Sequence, residues 1–196
     1  MIDYYGMLLY LAVSAFTPGP NNLMCMYLGA TYGLKGSRRF ITGSMLSVLV
    51  KALLCGLMNV ALASVIPSVI PYLKWAGAAY MLYLAYSMLR SGFAAQNAQK
   101  EQTGESTYRQ GILLQCLNIK SWVCNLSVYS VYVIAHSTAP SVILLVAVVN
   151  TACMLCATLC WGAFGSAFRR LYAAHRRAFS TVMALSLVYC AIAALK

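Results

Sequence analysis

The chain has 196 residues, of which 62% are hydrophobic and only 9% charged, with a mean hydropathy of +0.75. A soluble domain carries about 25% charged residues, so this composition excludes water as the main solvent and points to a membrane protein. The net charge of +11 would suit nucleic acid in a soluble chain, but the basic residues sit in short loops beside apolar runs, where they set membrane topology instead.

The apolar residues fall in long blocks without the strict alternation of an outer-membrane strand, so the blocks are read as helices. Lipid offers no partner to bare backbone, and a helix needs about 20 residues to cross it. About six crossings then fill the length and leave no room for a soluble domain. The predicted segments are 2–32, 40–66, 72–89, 111–135, 141–164 and 178–195.

The first segment opens on Met1-Ile2-Asp3 with no basic stretch ahead of it, and is expected to stay in the mature chain rather than act as a cleaved signal. Its middle reads Thr17-Pro18-Gly19-Pro20-Asn21-Asn22. Pro18 and Pro20 lack an amide hydrogen and obstruct carbonyls of the preceding turn, while Thr17 and Gly19 are driven from helical dihedrals by the prolines that follow them. The helix is expected to break here, roughly 22 Å along its axis from Asp3, near the bilayer centre.

Such a break frees carbonyls from one half-helix and amides, including those of Asn21, Asn22 and Leu23, from the other. Left unsatisfied in hydrocarbon, each costs several kcal/mol. Amides at a helix N-terminus suit a carboxylate and freed carbonyls suit an ammonium, so a zwitterionic amino acid answers both. The plainer alternative is a kink that only shapes packing, with the asparagines satisfying local backbone.

The second segment carries Lys51, which either serves transport or pairs with carbonyls inside the bundle. Residues 91–110, with Gly92, Gly104, Glu101 and Glu105, read as a cytoplasmic linker between a first half, 1–90, and a second, 111–196. In the fourth segment Asn118-Ile119-Lys120 lies roughly 14 Å from Gly111, the matching position of the second half. A lysine there costs about 2.5 kcal/mol or more unless it faces protein or a cavity, and snorkelling to a surface is the alternative.

The eight cysteines all lie in apolar runs, which argues against a disulfide framework. Cys153, Cys156 and Cys160 share one helical face, but with no histidine near them they read as packing residues rather than metal ligands. Gly29 with Gly33, and Gly162 with Gly165, read as close helix contacts. Tyr4, Tyr5, Tyr72, Trp75 and Tyr172 form an interfacial belt, and His136 and His175 sit in loops.

Loops one, three and five hold Lys35, Arg38, Arg39, Arg90, Lys100, Arg109, Arg169, Arg170, Arg176 and Arg177, whereas the other loops and the termini hold only Lys74 and Lys196. Cytoplasmic loops are the basic ones, so both termini are expected outside. Three crossings per half is an odd number, which makes the halves inverted repeats, an architecture that builds its working site between interrupted helices. The fold class expected is thus an all-α integral membrane protein of six transmembrane helices.

All three acids, Asp3, Glu101 and Glu105, fall outside the membrane core, so a proton gradient could couple only through a lysine or through the substrate. The sequence has no Walker loop, so ATP is not the direct energy source. With no buried Asp, Glu or His to activate a nucleophile, no enzyme activity, cofactor or metal is expected.

Phe16-Thr17-Pro18-Gly19-Pro20-Asn21-Asn22, Gly33-Leu34-Lys35-Gly36, Gly43, Trp75-Ala76-Gly77-Ala78-Ala79-Tyr80 and the Asn118-x-Lys120 pair resemble the lysine exporter (LysE) superfamily of amino-acid exporters. The likeness covers nearly the whole chain. The Trp75–Tyr80 and Leu187–Ala191 stretches are most similar to the branch that exports cysteine and O-acetylserine. The resemblance implies ion-gradient-driven export of amino acids from the bacterial cytoplasm, with Pro18, Gly19, Pro20, Asn21, Asn118 and Lys120 at the site. Two departures stand out. Ile119 occupies the place of a proline found in many members, which leaves open whether the fourth helix is interrupted, and Lys51 stands where an apolar residue is expected.

The sequence therefore points to an alternating-access exporter of small neutral amino acids. Amides at Asn21 and Asn22 and the Lys120 cation hold the carboxylate, and freed carbonyls hold the ammonium. Threonine, homoserine or leucine export is the rival within the family, and a structural membrane subunit the rival outside it. Coupling to a proton gradient and self-association are left open by the sequence.

Overall fold

A computed structural model of the chain describes residues 2–93 and 107–195, and the described residues are helical throughout, joined by short turns. The expected linker 91–110 falls mostly outside them, and with it Glu101, Glu105 and Lys100. The helices in chain order are α1 (Tyr4–Phe16), α2 (Pro20–Leu57), α3 (Asn59–Phe93), α4 (Tyr108–Cys116), α5 (Ile119–Ser127), which continues as a wider π-helical turn (Val128–Val133), α6 (Pro140–Ala167), α7 (Arg169–Ala174) and α8 (Arg176–Leu195).

Asp3 caps α1, its carboxylate accepting from the Gly6 amide at 2.9 Å. The chain then leaves the helix at Thr17 and re-enters at Pro20, whose missing amide is no loss at the first helical position. Between them Gly19 is fully extended, with φ −165° and ψ 173°. The break expected at Pro18-Gly19-Pro20 is there.

α2 carries a second interruption at Gly33, where φ is 74° and ψ 170°, a conformation that a side chain would resist. Gly33 is thus a hinge in the backbone and not the helix contact that its spacing from Gly29 suggests. Gly29 does make such a contact, because a Cβ there would collide with the Gly162 carbonyl, and one at Gly165 with the Met26 carbonyl. Small residues let α2 and α6 cross at backbone distance.

The boundary between the second and third segments differs from the sequence reading. Only Met58 separates α2 from α3, and Pro67 and Pro71, which fall in the gap between the predicted segments 40–66 and 72–89, lie within α3. A proline inside a helix removes one amide bond without necessarily ending the helix when neighbours satisfy the freed carbonyl.

The fourth segment is interrupted although it lacks the proline. α4 ends at Cys116 and α5 starts at Ile119, with Asn118 extended at φ −82° and ψ 100°. Side chains from elsewhere take up the carbonyls released. Trp122 Nε1 donates to Cys116 O at 2.8 Å and Lys51 Nζ to Gln115 O at 2.5 Å.

Among the described residues, four helices, α2, α3, α6 and α8, are long and apolar enough to cross a membrane. Large apolar side chains face outward along them, Val60, Trp75, Leu144 and Val182 among others. Inside, the buried apolar residues pack as two clusters. One gathers Met24, Leu28, Phe40, Val48, Met81, Leu84, Met183 and Leu187; the other gathers Met7, Leu11, Ala52, Val128, Tyr129, Ile143 and Val146. The buried polar residues Asn21, Asn22, Lys51, Gln115, Ser121, Asn125, Asn150 and Thr158 form a polar layer, each lining one cavity or hydrogen-bonded to a residue that does.

Candidate functional site

The two helix breaks meet in that polar layer. The Lys120 ammonium, on the first turn of α5, donates to the Thr17 carbonyl at the end of α1, 3.3 Å away. A Cβ on Gly19 would lie 3.8 Å from Lys120 Nζ, so the α2 start passes directly beside the lysine. Gly19, Asn21, Asn22, Asn118 and Lys120 line one small polar cavity. Pro18 and Pro20 stand with Gly19, Asn118 and Lys120 in the wall of a second, wider one.

The carbonyls freed at the end of α1 are already in use. Asn22 Nδ2 donates to Ala15 O at 2.8 Å and to Thr17 O at 3.1 Å, and Trp161 Nε1 donates to Phe16 O at 3.3 Å. The local role foreseen for the asparagines as the plainer alternative is therefore real for Asn22. What it leaves over is different from the sequence reading, because the unpartnered acceptors are side-chain oxygens. Asn22 Oδ1 and Asn21 Oδ1 are buried without a hydrogen-bond partner. The Asn21 amide nitrogen is held by Thr158 Oγ1 at 3.3 Å. A buried acceptor left alone is costly, about 1–3 kcal/mol, so this pair of oxygens is a place where a donor belongs.

The donors are equally defined. The first backbone bond of α2 runs from Leu23 N to Gly19 O, which leaves the Asn21 and Asn22 amides ahead of it. In α5 the corresponding bonds run from Ser121 N and Trp122 N to Asn118 O, ahead of which lie the Ile119 and Lys120 amides. The Asn118 side chain makes no capping bond of its own. Two half-helix N-termini and one ammonium thus sit together, an arrangement that favours an anion.

Lys51 belongs to the layer without lining either cavity. Its ammonium donates to Gln115 O at 2.5 Å, to Ser121 Oγ at 2.6 Å and to Gln115 Oε1 at 3.5 Å, and lies 5.6 Å from the Trp122 ring centre. Of the two readings open for it in the sequence, pairing with carbonyls in the bundle fits this geometry. It caps the negative end of α4.

Sequence reasoning missed Ser121, Asn125, Asn150 and Thr158. Asn150 Nδ2 donates to Asn125 Oδ1 at 2.8 Å, and Asn125 Nδ2 to Ser121 O at 2.7 Å, a chain of amides that ends at the cavity wall. The available signal was an asparagine in the middle of an otherwise apolar run at Asn150. His136 and His175 are exposed, away from the site.

The sequence profile of the LysE type translocator family matches residues 12–196. The cysteine/O-acetylserine efflux protein of Salmonella choleraesuis is 31% identical over 183 residues, spanning 93% of this chain and 92% of the relative. The protein of that name from Escherichia coli O157:H7 is 32% identical over the same share. No solved structure matches. A match over nearly the whole length, with the broken first helix inside it, makes this chain a member of the LysE type translocator family and a transporter of the amino-acid efflux kind.

Proposed function

We propose that the protein is a secondary active exporter of small neutral amino acids, of the cysteine and O-acetylserine type, working by alternating access in the bacterial cytoplasmic membrane. The observation that carries the reading is the meeting of two interrupted helices at the bond between Lys120 and the Thr17 carbonyl, with unpartnered amide oxygens at Asn21 and Asn22 beside it. The substrate carboxylate is held by Lys120 and by the amides that open α2 and α5. The substrate ammonium is held by Asn21 Oδ1 and Asn22 Oδ1. The printed names of the relatives support the substrate class.

Six crossings arranged as two inverted three-helix repeats fit this role. α2 is 38 residues long, roughly 57 Å at 1.5 Å per residue, nearly twice the hydrocarbon thickness of about 30 Å. Divided at Gly33, it supplies the second part of one crossing, begun by α1, and the whole of the next. α3, α4 with α5, α6 and α8 supply the others. The breaks at Pro18-Gly19 and Leu117-Asn118 then fall at matching places in the two halves. Buried polar residues gathered where the two helix breaks meet suit a site sealed from one side at a time.

In this reading both termini face outside. Arg169 approaches Gly33, and the Arg176 guanidinium donates to Ser91 O, so parts of the three basic loops gather at one end of the bundle. The test is counterflow of labelled cysteine and O-acetylserine in proteoliposomes, with and without a pH gradient, for the native chain and for Lys120→Met and Asn21→Leu. Both variants are expected to insert but to lose at least tenfold in counterflow. Native rates in both would contradict the assignment.

A further inference from the structure

The polar cavity holds the ends of two helices but has only about 30 Å³ of free space, room for one or two waters. A whole amino acid does not fit there. Next to it lies a cavity of about 410 Å³. The two share Gly19, Asn118 and Lys120 in their walls, so the groups that suit a carboxylate stand where one opens into the other. The wider space is walled chiefly by Met81, Leu114, Leu117, Tyr189, Cys190 and Ala193, contributed by α3, α8 and the end of α4. Lys74 and Lys120 also border it, and among the described residues no acidic one does. Two ammonium groups facing acyl chains would be costly, which favours a hydrated pocket over a lipid crevice.

Resting on the reading above, we infer that the wider cavity is the side-chain pocket of the transporter, which admits uncharged side chains over a range of sizes and rejects basic ones. The head group of the substrate docks at Gly19, Asn118 and Lys120, and its side chain extends toward Met81 and Ala193. The apolar wall gives an uncharged side chain dispersion contact and gives a charged one no partner. A lysine or arginine substrate would bring a third cation beside Lys74 and Lys120, with nothing in the wall to neutralise it. The volume exceeds the need of a thiol or an acetyl ester, so leucine-sized side chains also enter.

The pocket predicts its own re-engineering. Ala193 is exposed to the cavity, so a larger residue there fills space without disturbing the buried core. The experiment is competition against labelled cysteine counterflow in proteoliposomes of the full chain, with alanine, leucine and lysine as unlabelled competitors. For the native chain alanine and leucine are expected to compete and lysine not. Ala193→Trp should weaken leucine at least tenfold relative to alanine, and Lys74→Glu should let lysine compete.

An unchanged leucine-to-alanine ratio in Ala193→Trp, together with lysine still excluded by Lys74→Glu, would overturn the pocket assignment while leaving cysteine export intact. Absence of counterflow with every amino acid in the native chain would instead overturn the transport reading itself.

Discussion

Lys120 and Lys51 are the two lysines buried deepest in the sequence pattern, and their surroundings give them different work. Lys120 is exposed to the cavities and has one hydrogen bond, to Thr17 O. Lys51 is 2% exposed, with three oxygen partners around its ammonium. Removing the first takes away a cation that lines the cavities; removing the second leaves the Ser121 hydroxyl and Gln115 Oε1 without that donor inside the bundle, at about 1–3 kcal/mol. Lys120→Met is therefore expected to lose export at least tenfold with little change in the melting temperature of the purified protein. Lys51→Met is expected to lower that melting temperature by several degrees. Thermal denaturation in detergent, run beside the counterflow assay, distinguishes the two, and the reverse pattern would contradict these roles.

At the residue scale the sequence exposed the lysines, Pro18-Gly19-Pro20 and Asn118, because each is a conspicuous misfit in an apolar run. It could not tell that the Asn22 amide would take the freed carbonyls, since side-chain direction depends on how the broken ends meet.

Among the helices, the interruption between α4 and α5 carries the clearest test. Asn118 is already extended, and Ile119 is the first residue of α5, where proline is favoured because its missing amide has no helical partner. Ile119→Pro should accordingly fold and insert, although the same change in a continuous helix would cost about 3 kcal/mol or more, and its export should fall because the Ile119 amide no longer reaches the carboxylate. Failure of that variant to insert would mean the segment is not broken there.

The crossing of α2 and α6 is less forgiving. A side chain on Gly165 meets the Met26 backbone, which cannot swing aside as a flexible side chain can. Gly165→Leu is expected to destabilise the protein by about 1–3 kcal/mol or more, read as faster proteolysis in the membrane. Element positions were legible from the apolar blocks, but the turn at Met58 was not, because it falls inside the apolar run read as one segment, 40–66. The break before Ile119 has no proline to announce it and depends on partners from distant segments, Lys51 above all.

For the molecule as a whole, ten basic residues in three alternate loops set the expected orientation. A fluorescent protein fused after Lys196 should stay dark, and an alkaline phosphatase fused there should be active; the opposite pair of results would invert the topology. The proposed inverted-repeat plan rests on that count of crossings and on the two breaks, while the polar layer around them became visible only in three dimensions.

The central claim is that a zwitterion is gripped at both ends, by Lys120 and helix amides on one side and by the Asn21 and Asn22 oxygens on the other. Cysteamine lacks the carboxylate and 3-mercaptopropionate lacks the ammonium, yet both keep the thiol. Each omitted group forfeits charge-assisted hydrogen bonds, about 1.5–3 kcal/mol apiece. Competition of each against labelled cysteine counterflow is expected to be at least tenfold weaker than that of cysteine itself. Either compound competing as well as cysteine would contradict the account.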